Sequence, residues 1–389
     1  MKVFTFCFFV LLATHCGEAG QPSPWITAYY AGWMQGNQWS HYLTPQEIDF
    51  SALTHVVHFS LLPRPDGSID DQSNGLNLEN AKALTSAAHG AGKKVLACIG
   101  GWNTESGFAG ATNRNGRRAF IRNLLDLLQA RGYDGVDIDW EPVSTEYADQ
   151  YVAFITDLRE AMQKRDRTML LTVACMGDPQ LYAQIAPFVD QLNIMTYDFS
   201  GAWPGWLSWH NAALFAGGKR FPGTGEPLPS VDGRVSLFLA AGIPPEKIGI
   251  GIDFYGYVWN GGSGTSTGGV TAPGQSWGSP PWVKDNVPYY LIMDSLYRPE
   301  YYHWDTAAQA AYLSIDTEGS DRDKFVSYDN EVSCQAKLTY VVQRQLGGVI
   351  IWELGGGWRP SSNPRDPLLK SVKDWLKNRE SELSLKGGR

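Results

Sequence analysis

One stretch of the chain alternates acidic with apolar side chains and runs Asp134-Gly135-Val136-Asp137-Ile138-Asp139-Trp140-Glu141. As a β-strand it would send Asp137, Asp139 and Glu141 to one face, about 6.6 Å apart at about 3.3 Å per residue. Three carboxylates on one buried face repel one another, so at least one is expected to bind its proton more tightly than in water. The stretch therefore predicts a proton donor that works near neutral pH.

Two interpretations without a catalytic role fit this pattern less well. A solvated acidic edge would not interleave its carboxylates with Val136, Ile138 and Trp140, which suit an apolar layer on the opposite face. A calcium-binding loop would need a Gly at its sixth position and a Glu at its twelfth, which this stretch lacks. We therefore interpret the stretch as a catalytic strand.

Eight strand-like apolar runs alternate with helical patterns along the chain, which predicts a parallel sheet with helical crossovers. The runs are Trp25–Gly32, Leu53–Leu61, Lys94–Gly100, Asp134–Glu141, Thr168–Cys175, Gln191–Tyr197, Lys247–Tyr255 and Gly348–Leu354. Eight such units in 389 residues predict an α/β fold, the (β/α)8 TIM barrel, whose active site lies at the C-terminal ends of the strands. Glu141 ends the fourth run, where a catalytic residue is expected.

The acidic stretch resembles the DGxDxDxE signature of glycoside hydrolase family 18, the chitinase family. Three acidic residues and a glycine at fixed spacing are far more specific than a single Gly-rich loop. Weaker similarities to the same family recur from residue 25 to about residue 354, which is most of the chain. The resemblance implies a glycoside hydrolase built on a TIM barrel.

The resemblance also implies a mechanism in which the substrate assists. The 2-acetamido carbonyl of N-acetylglucosamine would attack the anomeric carbon, with net retention and without a cofactor. Glu141 would serve as general acid and base, and Asp139 would orient the acetamido nitrogen. Asp137 would share a proton with Asp139, and Tyr197 would donate to the acetamido oxygen. These four residues form the predicted catalytic group.

The resemblance implies that two residues, one on the first predicted strand and one on the third, support Asp137. Tyr29 matches the position whose hydroxyl lies under the acidic row. Cys98 begins the run Cys98-Ile99-Gly100-Gly101, which is similar to the family's SxGG motif but replaces its serine. Because a thiol is a weaker donor than a hydroxyl, we expect weaker support for Asp137 in this chain.

The substrate-binding candidates lie near the predicted strand ends. Met195-Thr196-Tyr197-Asp198 matches the family's MxYD motif, and the loop that follows carries Trp203 and Trp206 in a setting that suits stacking on sugars. Trp352 matches the tryptophan that forms the floor under the reacting sugar. The full set is Tyr29, Trp102, Met195, Asp198, Trp203, Trp206, Tyr255 and Trp352.

The regular alternation stops after the seventh run, and residues 257–327 are too many for an ordinary βα loop. Families of this kind often place a small α+β insertion between the seventh and eighth strands, as one wall of the substrate groove. We therefore predict a signal peptide over residues 1–20, a barrel domain over 21–256 and 328–389, and an insertion domain over 257–327.

The N-terminus predicts a secreted protein, extracellular or periplasmic, and the composition bears on its partners. A positively charged start, an apolar run from Val3 to Ala13 and small residues near residue 20 are typical of a secretory signal peptide. The formal net charge of −8 argues against a nucleic-acid partner. The cysteines show no Cys/His metal spacing, so we expect no metal. We also expect a monomer without membrane contact after signal cleavage.

The sequence therefore predicts a secreted chitinase that hydrolyses β-1,4 bonds in chitin or chitooligosaccharides. An endo-β-N-acetylglucosaminidase that cuts the chitobiose core of N-glycans would carry the same motif, so the motif does not separate the two. A chitin-binding lectin without activity fits less well, because Glu141, Asp139 and Asp137 are all present together with Tyr197.

Overall fold

The computed structural model of the protein describes residues 23–35 and 41–387, with side chains up to residue 381. The signal peptide predicted over residues 1–20 lies outside these residues. Within the described ranges, no helix is both long enough and apolar enough to cross a membrane.

Eight parallel strands close into a barrel, so the predicted TIM barrel is confirmed. The strands of the molecule, in chain order, are β1 Trp25–Ala31, β2 His55–Pro63, β3 Ile69–Asp70, β4 Lys94–Trp102, β5 Gly135–Glu141, β6 Leu170–Cys175, β7 Gln191–Ile194, β8 Ile248–Asp253, β9 Tyr255–Asn260, β10 Trp282–Pro288, β11 Tyr302–Asp305, β12 Ala310–Ile315, β13 Lys324–Tyr328 and β14 Gly348–Trp352. The barrel strands pair in the order β1-β2-β4-β5-β6-β7-β8-β14, and β14 returns to β1. The short β3 pairs with β2 outside the barrel.

Helices follow the barrel strands and cover the outside of the sheet. They are α1 Leu78–Gly90, α2 Glu105–Ala111, α3 Arg117–Arg131, α4 Ala148–Arg165, α5 Pro179–Ile185, α6 Val231–Ala240, α7 Tyr289–Leu291, α8 Glu331–Gln343, α9 Leu354–Gly357 and α10 Pro367–Gly387. Helix α3 buries Phe120, Leu124 and Leu128 because residues four apart share one helix face. Helix α5 begins at Pro179, and the Asp178 side chain caps it by accepting from the Gln180 N–H at 2.9 Å.

The predicted barrel strands agree with the observed ones to within a few residues. The C-terminal ends of the sixth and seventh barrel strands differ from the prediction. The sixth barrel strand stops at Ile194, so Tyr197 and Asp198 lie in the loop that follows. Asp198 has a φ of 58°, which no extended strand can accommodate. The seventh predicted run, Lys247–Tyr255, covers all of β8 and the first residue of β9, because the chain leaves the barrel at Phe254.

A second sheet lies between the seventh and eighth barrel strands. Its five antiparallel strands pair in the order β10-β9-β13-β12-β11 and extend from Tyr255 to Tyr328. The proposed insertion domain, residues 257–327, therefore starts inside β9 and ends inside β13. Trp259 and Phe325 on one face of this sheet pack in the same cluster as Tyr29 of β1 and Tyr197 of the loop after β7. That contact brings the second sheet against one side of the barrel mouth.

A buried ionic network joins the barrel, the second sheet and α8. Lys337 Nζ lies 3.4 Å from Asp253 Oδ1 at the end of β8 and also bonds Asp329, which follows β13. Asn211 donates to the other oxygen of Asp253 at 2.6 Å. Burial, and next the charge of Asp329, raise the pKa of Asp253, and Lys337 opposes this rise. The two carboxylates therefore depend on Lys337 for charge compensation.

We expect Lys337→Met to lower the free energy of unfolding by about 3–5 kcal/mol, because it leaves Asp253 and Asp329 buried without a counter-charge. Arg64→Ala is the control, since it removes an Arg64–Asp70 pair whose arginine side chain is 58% exposed. That loss should be below about 1 kcal/mol. Urea unfolding followed by tryptophan fluorescence measures both values, and equal stability of the two variants would contradict the role of Lys337.

Candidate active site

The acidic row of β5 lies inside the barrel, with its three carboxyl groups at different depths. Asp137 and Asp139 are buried, whereas Glu141 is half-buried at the C-terminal end of the strand. On the opposite face, Trp140 stacks on Phe108 of α2 with 4.8 Å between the ring centroids. The alternation in the sequence thus separates carboxyl groups that face the interior from apolar side chains that face the helices.

Asp137 is the deepest carboxyl group and accepts hydrogen bonds from three other strands. Tyr29 Oη of β1 donates to Oδ2 at 2.9 Å, and Thr172 Oγ1 of β6 donates to Oδ1 at 2.5 Å. The Cys98 thiol of β4 is the third donor. Burial raises the pKa of Asp137, and the three donors oppose this rise because they stabilise the carboxylate.

Asp139 lies between the other two carboxyl groups and has far less support. Its Oδ1 is buried and has no hydrogen-bond partner among the described residues. Burial, and then the charges of Glu141 and Asp137, raise the pKa of Asp139 well above its usual value. Asp139 therefore retains a proton more readily than Asp137 does, and its Oδ1 keeps an unused acceptor position.

Glu141 is the carboxyl group closest to the barrel mouth. Burial, and next the charge of Asp198, raise the pKa of Glu141 to about 7. Trp102 pairs with Glu141 across the β4–β5 ladder and is 65% exposed, so an accessible tryptophan flanks this acid. A carboxyl group with such a pKa can both donate and accept a proton near neutral pH.

Asp198 approaches the acidic row from the loop after β7. Tyr255 Oη donates to Asp198 Oδ1 at 2.6 Å, and the Tyr257 hydroxyl is a second donor. Part of Asp198 is exposed, but its carboxyl group is desolvated, which raises its pKa, and the two phenols oppose the rise. Burial, and next the charge of Asp198, raise the pKa of the neighbouring Tyr197. Tyr197 therefore keeps its phenol proton at neutral pH and remains a hydrogen-bond donor.

Trp352, at the end of β14, belongs to an aromatic cluster beside the acidic row. Its ring centroid lies 5.4 Å from that of Tyr29 and 4.6 Å from that of Phe59 in β2. Met195 packs against the same cluster. Trp352 and Met195 are half-buried, so part of each side chain remains accessible.

Two of the three tryptophans in the loop after β7 form a separate aromatic group. Trp203 and Trp206 meet edge to face with 4.5 Å between centroids, and Trp206 meets Phe221 at 4.8 Å. Trp203 is 47% exposed. Ser208, in the same loop, is fixed to the segment after β9, because its Oγ donates to the carbonyl of Ala272 at 2.6 Å. The loop is therefore a candidate wall of the site and does not belong to the acidic row.

Hydrogen bonds, ring contacts or charge effects bring together most of the predicted site residues, namely Tyr29, Asp137, Asp139, Glu141, Tyr197, Asp198, Tyr255 and Trp352. Sequence reasoning missed Thr172, Tyr257 and Phe59. Thr172 pairs with Asp137 across the β5–β6 ladder. An alignment of the inward faces of neighbouring strands could have found it.

Two other depressions among the described residues differ from this site. Two open depressions of about 560 Å³ and 850 Å³ lie beside α10 and α4, away from the acidic row. Some of their charged side chains pair with one another, as Lys373 with Asp49 and Arg159 with Asp190, each at 2.6 Å. In the part of the chain that the structure describes, no group of His, Cys, Asp and Glu is arranged to hold a metal ion. The acidic row is the candidate active site.

A barrel with such a row at its C-terminal end is typical of enzymes that cleave glycosidic bonds, and comparison with known proteins gives the family. The model of the Glycosyl hydrolases family 18 matches residues 26–357. The chain therefore belongs to glycoside hydrolase family 18, and the resemblance inferred from its motifs is confirmed.

Two relatives illustrate the extent of the sequence similarity. Chitinase A1 of Niallia circulans is 31% identical over 294 residues, which is 68% of this chain and 40% of that protein. Chitotriosidase-1 of Mus musculus is 27% identical over 375 residues, 88% of this chain and 75% of that protein. The chain thus spans less than half of the first relative and three quarters of the second.

Solved structures share the fold over nearly the whole chain. Ostrinia furnacalis Group IV chitinase, in complex with allosamidin, has a TM-score of 0.77 and 25% identity, over 91% of this chain and 99% of that chain. A family 18 N-acetylglucosaminidase from Paenibacillus barengoltzii has a TM-score of 0.70 and 26% identity, over 90% of this chain and 99% of that chain. Human YKL-39, described as a pseudo-chitinase, is 22% identical at a TM-score of 0.75, over 91% of this chain and 100% of that chain, and shows the fold alone.

We expect Asp198→Asn to lower the pKa of Glu141 below about 7, because it removes the charge that adds to the effect of burial. Carboxyl 13C NMR titration of glutamate-labelled protein measures this pKa, and Glu141→Gln identifies the resonance. Asp285→Asn is the matched control, since Asp285 is exposed and acts on Asp198 rather than directly on Glu141. An unchanged Glu141 titration in Asp198→Asn would show that burial alone raises the pKa.

Proposed function

We propose that this protein is a chitinase that hydrolyses β-1,4 bonds between N-acetylglucosamine units, with the acetamido group of the substrate as nucleophile. One observation carries the proposal: a carboxylic acid with a pKa of about 7 lies next to a buried carboxyl group with an unpartnered oxygen. Family membership and relatives named as chitinases support the same class of reaction.

Glu141 is the proposed general acid and base. Because its pKa is about 7, a large fraction of Glu141 is protonated at neutral pH. That proton passes to the glycosidic oxygen as the bond to the anomeric carbon breaks. The resulting carboxylate then takes a proton from the water that opens the cyclic intermediate, so one residue serves both steps.

Asp139 is the proposed group that positions the acetamido nitrogen. Its unpartnered Oδ1 can accept the acetamido N–H, which turns the acetamido carbonyl oxygen toward the anomeric carbon. A positive charge develops on the oxazolinium ring as that oxygen attacks, and the charge of the Asp137–Asp139 pair stabilises it. The pair shares one proton, so its titration belongs to both residues together.

A nucleophile supplied by the protein fits this site less well. Retaining glycosidases with such a nucleophile place two carboxyl groups about 5–5.5 Å apart across the bond. Asp198 is a candidate, because its charge acts on Glu141. However, Asp198 Oδ1 accepts from Tyr255 at 2.6 Å, and desolvation raises the pKa of Asp198. A carboxyl group engaged in this way is a weak nucleophile, which favours the acetamido oxygen.

Tyr197 and Trp352 are proposed to hold the reacting sugar. The Tyr197 phenol keeps its proton, since burial raises its pKa, and can therefore donate to the acetamido oxygen. Trp352 is held by its ring contacts with Tyr29 and Phe59, so its accessible face has a fixed orientation for stacking on the sugar.

A chitin chain is the substrate that we favour over the chitobiose core of an N-glycan. Trp102 and Trp203 are exposed, at a strand end and in the loop after β7, where further sugars of a polymer could stack. We also propose that the protein is secreted and acts as a monomer, on the basis of its N-terminal sequence pattern and its single barrel.

We expect Glu141→Gln to reduce hydrolysis of chitin oligomers by about two or more orders of magnitude, the scale of losing a general acid, while folding and oligomer binding persist. Glu353→Gln is the matched control, because Glu353 is also half-buried with a pKa raised to about 7 but lies outside the acidic row. Chromatography of the products and calorimetric binding measure the two effects. Near wild-type turnover in Glu141→Gln would refute the assignment of the acid.

We expect cleavage of chitin oligomers but not of cellulose oligomers of equal length, because only the former carry the acetamido nucleophile. A thiazoline mimic of the cyclised sugar should inhibit competitively. A high-mannose glycoprotein serves as a third substrate, and cleavage of it alone would favour the endo-β-N-acetylglucosaminidase. Equal rates on both polymers would exclude substrate assistance.

A further inference from the structure

Asp137 has a hydroxyl donor on each of its carboxyl oxygens. Tyr29 donates to Oδ2 at 2.9 Å from β1, and Thr172 donates to Oδ1 at 2.5 Å from β6. All three side chains are buried, so bulk water does not compete for these bonds. Because the donors lie on two different strands, the carboxyl group is held in one orientation between them.

The third donor to Asp137, the Cys98 thiol, is the weakest of the three. A thiol is a weak donor, whereas a hydroxyl that donates to a carboxylate forms a short bond of about 2.5–2.7 Å. The Thr172 bond, at 2.5 Å, lies at the short end of this range. Thr172 therefore does more than Cys98 to stabilise the carboxylate form of Asp137.

We propose that Thr172 is a positioning residue that holds Asp137 as the ionised member of the Asp137–Asp139 pair and so sets the lower pH limit of activity. The proposal deepens the proposed function and rests on it. The Thr172 hydroxyl supplies the support that the Cys98 thiol gives only weakly. The proton of the pair then resides with Asp139, whose Oδ1 has no protein donor in the described structure.

The titratable groups that interact with Asp137 come from β1, β4, β5, β6 and α4. They are Tyr29, Cys98, Asp139, Cys175 and Tyr151, while Glu141 acts on Asp139. Burial raises the pKa of each of these phenols and thiols, so they stay neutral at acidic and neutral pH. No lysine or arginine is among these groups. Hydrogen-bond donors rather than a counter-charge therefore govern the ionisation of Asp137.

The direction of the pH effect follows from this arrangement. Loss of a donor disfavours ionised Asp137, and its pKa, already raised by burial, rises further. A higher pH is then needed before the pair carries its negative charge, so the acidic limb of the kcat/KM profile moves upward. The alkaline limb, which reports Glu141, stays in place. A stronger donor at position 98 has the opposite effect on the acidic limb.

Four variants test the proposal in the full chain: Thr172→Val, which keeps the shape but lacks the hydroxyl, Thr172→Ser, Cys98→Ser, and the double variant Thr172→Val with Cys98→Ser. We expect the acidic limb on soluble chitin oligomers to move up by about one pH unit in Thr172→Val and to stay in place in Thr172→Ser. Cys98→Ser should move it down by up to about one unit, and the double variant should return toward wild type.

The proposal would be overturned if the acidic limbs of wild type, Thr172→Val and Cys98→Ser superimpose. If these variants change thermal stability alone, Thr172 and Cys98 serve only in packing, and the proposal is again overturned. If Thr172→Val does not fold, carboxyl 13C titration of Asp137 and Asp139 in the wild-type protein decides: ionisation of Asp137 at the lower pH supports the proposal, and ionisation of Asp139 at the lower pH overturns it. A wild-type protein without any chitin hydrolysis would refute the proposed function instead. Carboxyl 13C titration of Asp137 in the same variants then decides the present proposal directly.

Discussion

Burial of three carboxyl groups on one face of β5 is the constraint on which the site depends. Each group loses water and repels its neighbours, so each must gain hydrogen-bond donors, retain a proton or keep some contact with solvent. Tyr29 and Thr172 supply donors to Asp137, whereas Asp139 lacks a partner for Oδ1 and Glu141 is half-buried. This gradient gives three like residues on one strand different protonation behaviour.

Where the second sheet meets the barrel, the same constraint is satisfied in another way. Lys337 neutralises two buried carboxylates, and Asn211 completes the bonding of Asp253. Asn211 also donates its backbone N–H to Ser327 Oγ at 2.8 Å. One buried polar network therefore joins the loop after β7, the barrel and the second sheet. Because these charges are paired, the network can fix the geometry around the acidic row while the row itself exchanges protons.

Residues on other strands adjust both ends of the acidic row in this member of the family. At the deep end, the Thr172 hydroxyl and the Cys98 thiol both support Asp137. The thiol alone would be a weak donor. At the mouth, Tyr255 and Tyr257 donate to Asp198, whose charge adds to the raised pKa of Glu141. The acid strength of Glu141 is thus coupled to hydrogen bonds that Glu141 does not itself make.

Local pattern determined much about this protein: the alternating runs predicted the barrel, and the period of two placed the carboxyl groups on one face. Only the tertiary structure decided which side chains meet across strands. Thr172 and Tyr29 lie 35 and 108 residues from Asp137 in the chain. Side-chain alternation specifies the face that a residue occupies, but the residue opposite it depends on the stagger of paired strands and on barrel closure.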